Sequence, residues 1–178
     1  MRSILALMVL AALPLRSGAQ QYLAHNGEIT FYSHAAIEDI TATTKKVSSG
    51  LNVATNDIAF SVTISSFVFP KKLMQEHFNE KYMESEKYPT ATFSGKFEGY
   101  DAKATGVQNV KAKGNLTIHG VARQVEILGT LENVKDQIRL RSKFIVRLAD
   151  HKIEIPTMFW QNIAEQVEVR VEVNYPAK

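Results

Sequence analysis

In its first half the chain reads Asp57-Ile-Ala-Phe-Ser-Val-Thr-Ile-Ser65, and a large apolar residue occupies every second position of this stretch. Successive side chains of a strand point to opposite faces, so the large residues all fall on one side of an extended chain. These residues are Ile58, Phe60, Val62 and Ile64. The pattern predicts a strand with one buried face and one solvated face.

The same alternation recurs at 138–148 and at 167–175. It is typical of antiparallel sheets, because parallel strands are covered on both faces and read as continuous apolar runs. Weaker strand patterns cover 28–36, 37–44, 90–100, 107–118 and 121–131. The chain therefore predicts about eight antiparallel strands, which hide their apolar face either as a sandwich or as a closed barrel.

A helical pattern follows the strand at 57–65 and covers about residues 72–83. At 100° per residue one broad sector carries Leu73, Met74, His77, Phe78 and Lys81, and we expect this face to dock on the sheet. The opposite side carries Gln75, Glu76, Asn79, Glu80 and Met83. Pro70 suits the helix start, and Pro89 prevents its continuation. A second helical turn is predicted at 157–164.

Residues 1–19 have the pattern of a cleaved secretory signal peptide, with Arg2, an apolar run and small residues up to Ala19. The apolar run is about 12 residues long, short of the roughly 20 that span a bilayer. We therefore expect a single mature domain at 20–178 that is soluble and periplasmic or secreted.

Charge and cysteine content exclude several function classes. Removal of the two arginines within 1–19 lowers the formal net charge from +3 to +1. No concentrated basic run remains to neutralise a row of phosphates, so we expect no nucleic-acid partner. The chain has no cysteine, which excludes thiol catalysis and cysteine-based metal sites. Packing alone must stabilise the fold.

Two landmarks carry a family resemblance: Glu86-Lys-Tyr-Pro-Thr-Ala-Thr-Phe93, where the helical pattern gives way to a strand, and Gly114-Asn-Leu-Thr-Ile-His-Gly-Val-Ala-Arg-Gln-Val125. Over roughly 25–176 the chain resembles the YceI-like family of secreted bacterial lipid-binding barrels. The sequence of residues 73–83 is similar to that of the family branch found in Bacteroidetes-type bacteria.

The resemblance implies an all-β fold: an eight-stranded antiparallel, lipocalin-like barrel with one amphipathic helix at the barrel end. It also implies an elongated apolar channel that binds a long-chain lipid of isoprenoid type, a YceI-like polyisoprenoid ligand, with no other cofactor. A barrel of this size either holds one small ligand or is filled by its own side chains.

We predict that large apolar side chains line this channel, because burial of an apolar chain contributes about 0.8 kcal/mol per CH₂ without any polar contact. The candidates are Phe31, Phe60, Val62, Ile64, Phe67, Phe69, Leu73, Met74, Phe78, Phe93, Phe97, Ile118, Phe144, Val146, Phe159 and Trp160. For each of them, plain core packing without ligand contact is the competing interpretation.

Catalytic and metal-binding patterns are weak. His77 lies beside Glu76 and near Glu80, but neither carboxylate shares its helix face well, so we interpret it as a helix-surface residue. His119, within Ile-His-Gly, is interpreted as a turn residue or as a mouth-lining group that meets a polar ligand head. No Gly-x-Ser-x-Gly sequence is present, and we expect neither catalysis nor a metal site.

Three functions remain open from the sequence. The first is periplasmic carriage or storage of a long apolar lipid; the second is a stress-response or interaction module whose self-filled barrel contacts a protein partner; the third is a secreted enzyme using His77 or His119. The internal volume of the barrel discriminates between the first two functions.

A stripe of basic residues is interpreted as a solvated outer face or as a site of transient membrane-surface contact: Arg139, Arg141, Lys143 and Arg147. The sequence leaves oligomeric state open, including a homodimer.

Overall fold

The computed structural model describes residues 21–34, 39–155 and 164–176. Eight antiparallel strands form a closed barrel in chain order. They are β1 (Gln21–Ser33), β2 (Ile40–Asn52), β3 (Asp57–Thr63), β4 (Thr90–Glu98), β5 (Gly106–Ile118), β6 (Val121–Val134), β7 (Gln137–Arg147) and β8 (Gln166–Pro176). The structure confirms the eight-stranded antiparallel barrel and decides against a sandwich. The expected signal peptide at 1–19 lies outside the described residues, and so does the predicted turn at 157–164 apart from Ala164.

β2 extends well beyond the stretch 37–44 that its sequence predicted, as far as Asn52. The extension was missed because polar residues occupy part of its inner face. Ser49 is buried there and donates to the Ala59 carbonyl at 2.9 Å; Thr44, the last residue of the predicted stretch, is also buried, with its hydroxyl 2.6 Å from that of Ser66. Satisfied polar groups are tolerated inside a barrel, although they hide the alternation that marks a strand.

One end of the barrel interior is filled by side chains, and we call it the floor. Its members are Tyr22, Val47, Leu51, Val173 and Tyr175, all buried. The Tyr175 hydroxyl lies 2.5 Å from Ser49 Oγ, and it donates this bond because Ser49 gives its only hydroxyl hydrogen to the Ala59 carbonyl. Burial raises the pKa of Tyr175. The floor closes the barrel where β1 begins and β8 ends.

The opposite end of the barrel carries the helical cap, which consists of α1 (Lys72–His77) and one continuing π-helical turn (Phe78–Tyr82). This confirms the expected helix. The Phe78 ring packs against three others, with centroids 5.6 Å from Phe31, 5.7 Å from Phe67 and 5.0 Å from Phe69. We call these four rings the aromatic cluster. No helix among the described residues is long and apolar enough to cross a bilayer.

The π turn corrects the predicted position of Met83. Five residues of regular α-helix rotate the chain by about 140°, which would place Met83 away from Phe78 and toward solvent. The Met83 amide instead donates to the Phe78 carbonyl at 2.9 Å, the i to i+5 bond of a π turn. This bond brings Met83 to the inner side of the cap, where it is buried.

The close approach of β4 and β5 depends on two paired glycines, Gly95 and Gly114. A Cβ added to Gly114 would lie 2.2 Å from the Ser94 carbonyl oxygen and 2.6 Å from the Gly95 Cα. These neighbours are backbone atoms, which cannot rotate aside as a side chain can. The position therefore accepts only glycine without backbone movement.

Gly114→Ala should lower the free energy of unfolding by about 2 kcal/mol or more, because the new methyl forces β4 and β5 apart. Gly50→Ala is the matched control inside a strand, since the nearest atom to its added Cβ is a Leu23 methyl at 3.4 Å. Urea denaturation of both variants measures the difference. Equal stabilities would contradict the close strand approach.

Phe78→Ala should lower the free energy of unfolding by about 2 to 3 kcal/mol, because it removes the ring that anchors the helical cap in the aromatic cluster. Leu73→Ala on the same helix is the control, with an expected change below about 0.5 kcal/mol, because the Leu73 side chain is 62% exposed. A similar loss in both variants would show that Phe78 does not anchor the cap.

Candidate functional site

An apolar cavity of about 470 Å³ lies between the floor and the helical cap. All eight strands contribute side chains to its wall, and residues of the cap line it from above. Alternation produces this wall, since every strand turns its large apolar residues inward. Ligand pockets in proteins measure roughly 300 to 1,000 Å³, and the cavity falls within that range. The barrel is therefore self-filled only at the floor.

The predicted lining residues that fall within the described part of the chain all border the cavity. They are Phe31, Phe60, Val62, Ile64, Phe67, Phe69, Leu73, Met74, Phe78, Phe93, Phe97, Ile118, Phe144 and Val146. Phe159 and Trp160 lie outside the described residues. Lining the cavity is a matter of geometry; contact of these side chains with a ligand stays a prediction.

Sequence reasoning missed three kinds of wall residue. The first lies on the apolar strand faces that alternation already indicates: Ile58, Leu140, Val167, Val169 and Val171. The second is small and was not sought among large side chains: Ala91, Ala112, Gly129 and Ser142. The third consists of Tyr82 and Met83, which the π turn brings inward. No sequence signal indicated that turn.

His77 lines the cavity and is half-buried, which corrects its interpretation as a helix-surface residue. It was placed in the inward sector of the helix with Leu73 and Phe78, and the structure keeps it there. Tyr82 lies one turn further along the cap and also lines the cavity; burial raises the pKa of its hydroxyl. Together they place two polar side chains in the wall beneath the cap, in addition to Ser33, Thr92, Arg141 and Ser142 elsewhere in the lining.

His119 is a turn residue that also ties three segments together. With φ of 51° at His119 and 71° at Gly120, the β5–β6 hairpin has the two-residue turn in which both central residues have positive φ. The His119 Nε2 donates to the Glu84 carboxylate at 2.8 Å, and its Nδ1 lies 3.3 Å from the His151 carbonyl oxygen. Its ring also packs on Tyr88 at 4.4 Å.

These contacts place His119 outside the cavity wall, so it does not serve as the mouth-lining group that was the other interpretation. It does sit beside a carboxylate, as an enzyme mechanism would need, but its side chain is only 10% exposed and faces no cleft. Among the described residues no group of three or more histidine, aspartate or glutamate side chains could hold a metal ion.

The basic stripe of β7 lies on the outer face of the barrel, and three of its four members pair with carboxylates of neighbouring strands. Arg139 lies 3.6 Å from Glu132, Arg141 lies 3.2 Å from Glu172, and Lys143 lies 2.7 Å from Glu168. The Lys143 ammonium, and then Arg170, hold the pKa of Glu168 below its usual range. Pairing neutralises much of the positive charge, which favours a solvated outer face over membrane steering.

Comparison with known proteins agrees with this architecture. A family model described as the YceI-like domain matches residues 22–175. No curated protein sequence matches the chain. Among solved structures, a polyisoprenoid binding domain from Saccharophagus degradans, implicated in plant cell wall breakdown, superposes with a TM-score of 0.76 at 17% identity, covering 90% of this chain and 99% of that one.

Two further structures share the fold. BcnA of Burkholderia cenocepacia is 16% identical with a TM-score of 0.70, covering 83% of this chain and 95% of its own. The YceI protein of Campylobacter jejuni is 19% identical with a TM-score of 0.65, covering 82% and 89%. Identities this low show a common fold and no more, whereas the family model spans nearly all of the described barrel. The chain belongs to the YceI-like domain family.

Proposed function

We propose that this protein binds one long apolar lipid of isoprenoid type inside the barrel and acts by sequestration, as a carrier or a store, without catalysing a reaction. The observation that carries the proposal is the apolar cavity of about 470 Å³, which lies between the floor and the helical cap. The polyisoprenoid-binding domain of similar fold supports the choice of ligand class.

Hydrophobic burial alone can drive this binding. Each CH₂ removed from water contributes about 0.8 kcal/mol, so a chain of some twenty carbons gains more than about ten kcal/mol before the entropic costs of association. The wall suits such a ligand because phenylalanine and branched aliphatic side chains dominate it. Selectivity should therefore follow chain length and shape more than hydrogen bonding.

The ends of the cavity differ, which suggests an orientation for the ligand. The floor is built from buried apolar residues and one satisfied tyrosine, Tyr175. Beneath the cap, the lining includes the two polar residue types His77 and Tyr82. A polar head group would therefore lie near the cap, with the apolar chain directed toward the floor.

A periplasmic or secreted location is part of the proposal and rests on the signal-peptide pattern at 1–19. The alternative of a self-filled interaction module is less well supported, because it requires a barrel too full for an alkyl chain. The enzyme hypothesis lacks a histidine and carboxylate pair that faces the cavity, within the part of the chain that the structure describes.

Purification from a bacterial host, followed by native mass spectrometry and organic-solvent extraction, should recover one apolar molecule per barrel. Ala112→Trp should reduce this recovery and weaken binding of a long-chain probe at least about tenfold, because the indole occupies part of the cavity from the inner face of β5. Ala59→Trp, on the exposed outer face of β3, is the matched control and should bind normally.

Repeated recovery of an empty barrel, together with no binding of long-chain probes, would overturn the proposed function. Equal lipid recovery from Ala112→Trp and Ala59→Trp would show that a lipid binds elsewhere on the protein. Circular dichroism and urea denaturation of both variants establish that each one folds.

A further inference from the structure

The barrel wall is incomplete between β6 and β7. These strands pair only from Gly129–Ser142 to Val134–Gln137, on the half of the barrel nearer the floor. Beyond that point 121–128 of β6 pair only with β5, and 143–147 of β7 pair only with β8. The structure describes all of these residues, and no backbone pairing joins 121–128 to 143–147. We call this opening the β6–β7 window.

The lower edge of the window is the Gly129–Ser142 rung, where both inward-facing residues are small. Ser142 Oγ donates to the Leu128 carbonyl at 2.6 Å, so a side-chain hydrogen bond ends the ladder where a backbone rung would otherwise follow. Gly129 has no side chain to fill the interior at this level, and both residues border the cavity. The wall is therefore thin where the two strands separate.

The upper edge is a contact between β6 and the 3₁₀ turn Leu148–His151. Arg123 Nε donates to the Asp150 carbonyl at 2.7 Å, and His151 Nδ1 lies 3.0 Å from the Val121 carbonyl oxygen. Between Ser142 and this turn β7 advances six residues, or roughly 20 Å at the rise of a strand. The window is thus an elongated slot that is bounded at both ends.

The cavity reaches this slot. Leu128 and Arg141 both border the cavity, although alternation turns their side chains to the outside of the barrel. Outside, Leu128 is 63% exposed and Ile145, on the opposite edge, is 52% exposed. Inside, Ile127 and Phe144 are only partly buried even though they face inward. Apolar side chains therefore run continuously from the surface through the window to the cavity.

We propose that the β6–β7 window is the site through which the apolar chain enters and leaves the cavity. Where two neighbouring strands are paired, separating them breaks backbone rungs, each worth about 1 kcal/mol. At the cap end the Phe78 ring is packed in the aromatic cluster. At the window no backbone rung has to break. This inference rests on the proposed lipid-binding function and adds the route to it.

A reversible cross-link across the window tests the route. The chain has no cysteine, so Leu128→Cys with Ile145→Cys gives a unique thiol pair on its two outer edges. The pair is joined by a short bis-maleimide that contains a cleavable disulfide. The probe is cis-parinaric acid, a fluorescent long-chain polyene, and stopped-flow fluorescence measures its uptake and its release to vesicles. Ala59→Cys with Ser94→Cys, a paired outward position on β3 and β4, is the matched control.

Closing the window should slow probe uptake and release at least about tenfold, a barrier increase of about 1.4 kcal/mol, and cleaving the cross-link should restore both rates. The control cross-link should leave both rates unchanged. Unchanged rates in the closed window, with the probe still bound at equilibrium, would overturn the lateral route and leave lipid binding intact. Failure of the probe to bind before cross-linking and after cleavage would overturn the binding function and the route with it.

Discussion

The unfilled half of the barrel is the constraint on which the rest of the structure depends. Interior volume that side chains do not fill forfeits packing contacts, and large-to-small substitutions in packed cores show that this is destabilising. The closed strand ladder, the packed floor and the aromatic cluster must together hold open a space that its own side chains do not fill. An apolar ligand would relieve the same penalty, which links stability directly to occupancy.

The helical cap and the β6–β7 window would have different roles at this cavity: the cap covers it, and the window gives access to it. The cap is anchored by the Phe78 ring among three other phenylalanines, and His119 fixes the segment that follows it through Glu84 and Tyr88. These contacts favour a stable cover. The window has an apolar margin and lacks rungs that would have to break. A fixed cover with a lateral opening would let a long chain move without unfolding either end of the barrel.

Much of this arrangement could be predicted from the sequence, because alternation reports directly which side of a strand is buried. The strands at 57–65, 138–148 and 167–175 appear at nearly the predicted positions, and their inward residues form much of the cavity wall. The family resemblance supplied the barrel closure and the cap, which alternation alone left open. Selecting large residues, however, overlooked the small ones, such as Ala112 and Gly129, that create the space.

Other features depend on tertiary contacts that carry no local signal. The π turn that brings Met83 inward is a one-residue change in helical hydrogen bonding, and helical periodicity assumes that no such change occurs. The buried Ser49 was invisible as a core residue because its partner Tyr175 lies 126 positions away in sequence. The separation of β6 from β7 is likewise a property of strand register, which neither strand encodes by itself.

The most direct measurement is the free energy of unfolding of the delipidated protein with linear ligands of increasing chain length. Each ligand is added separately, at the same saturating concentration. If the cavity sheaths an apolar chain, stability should rise with chain length, because each added CH₂ tightens binding by about 0.8 kcal/mol and binding to the native state stabilises it. The increase should end once the chain fills the cavity, and the plateau should move to shorter chains in Ala112→Trp. Stability that is independent of chain length, or an identical plateau in that variant, would contradict a ligand held inside the barrel.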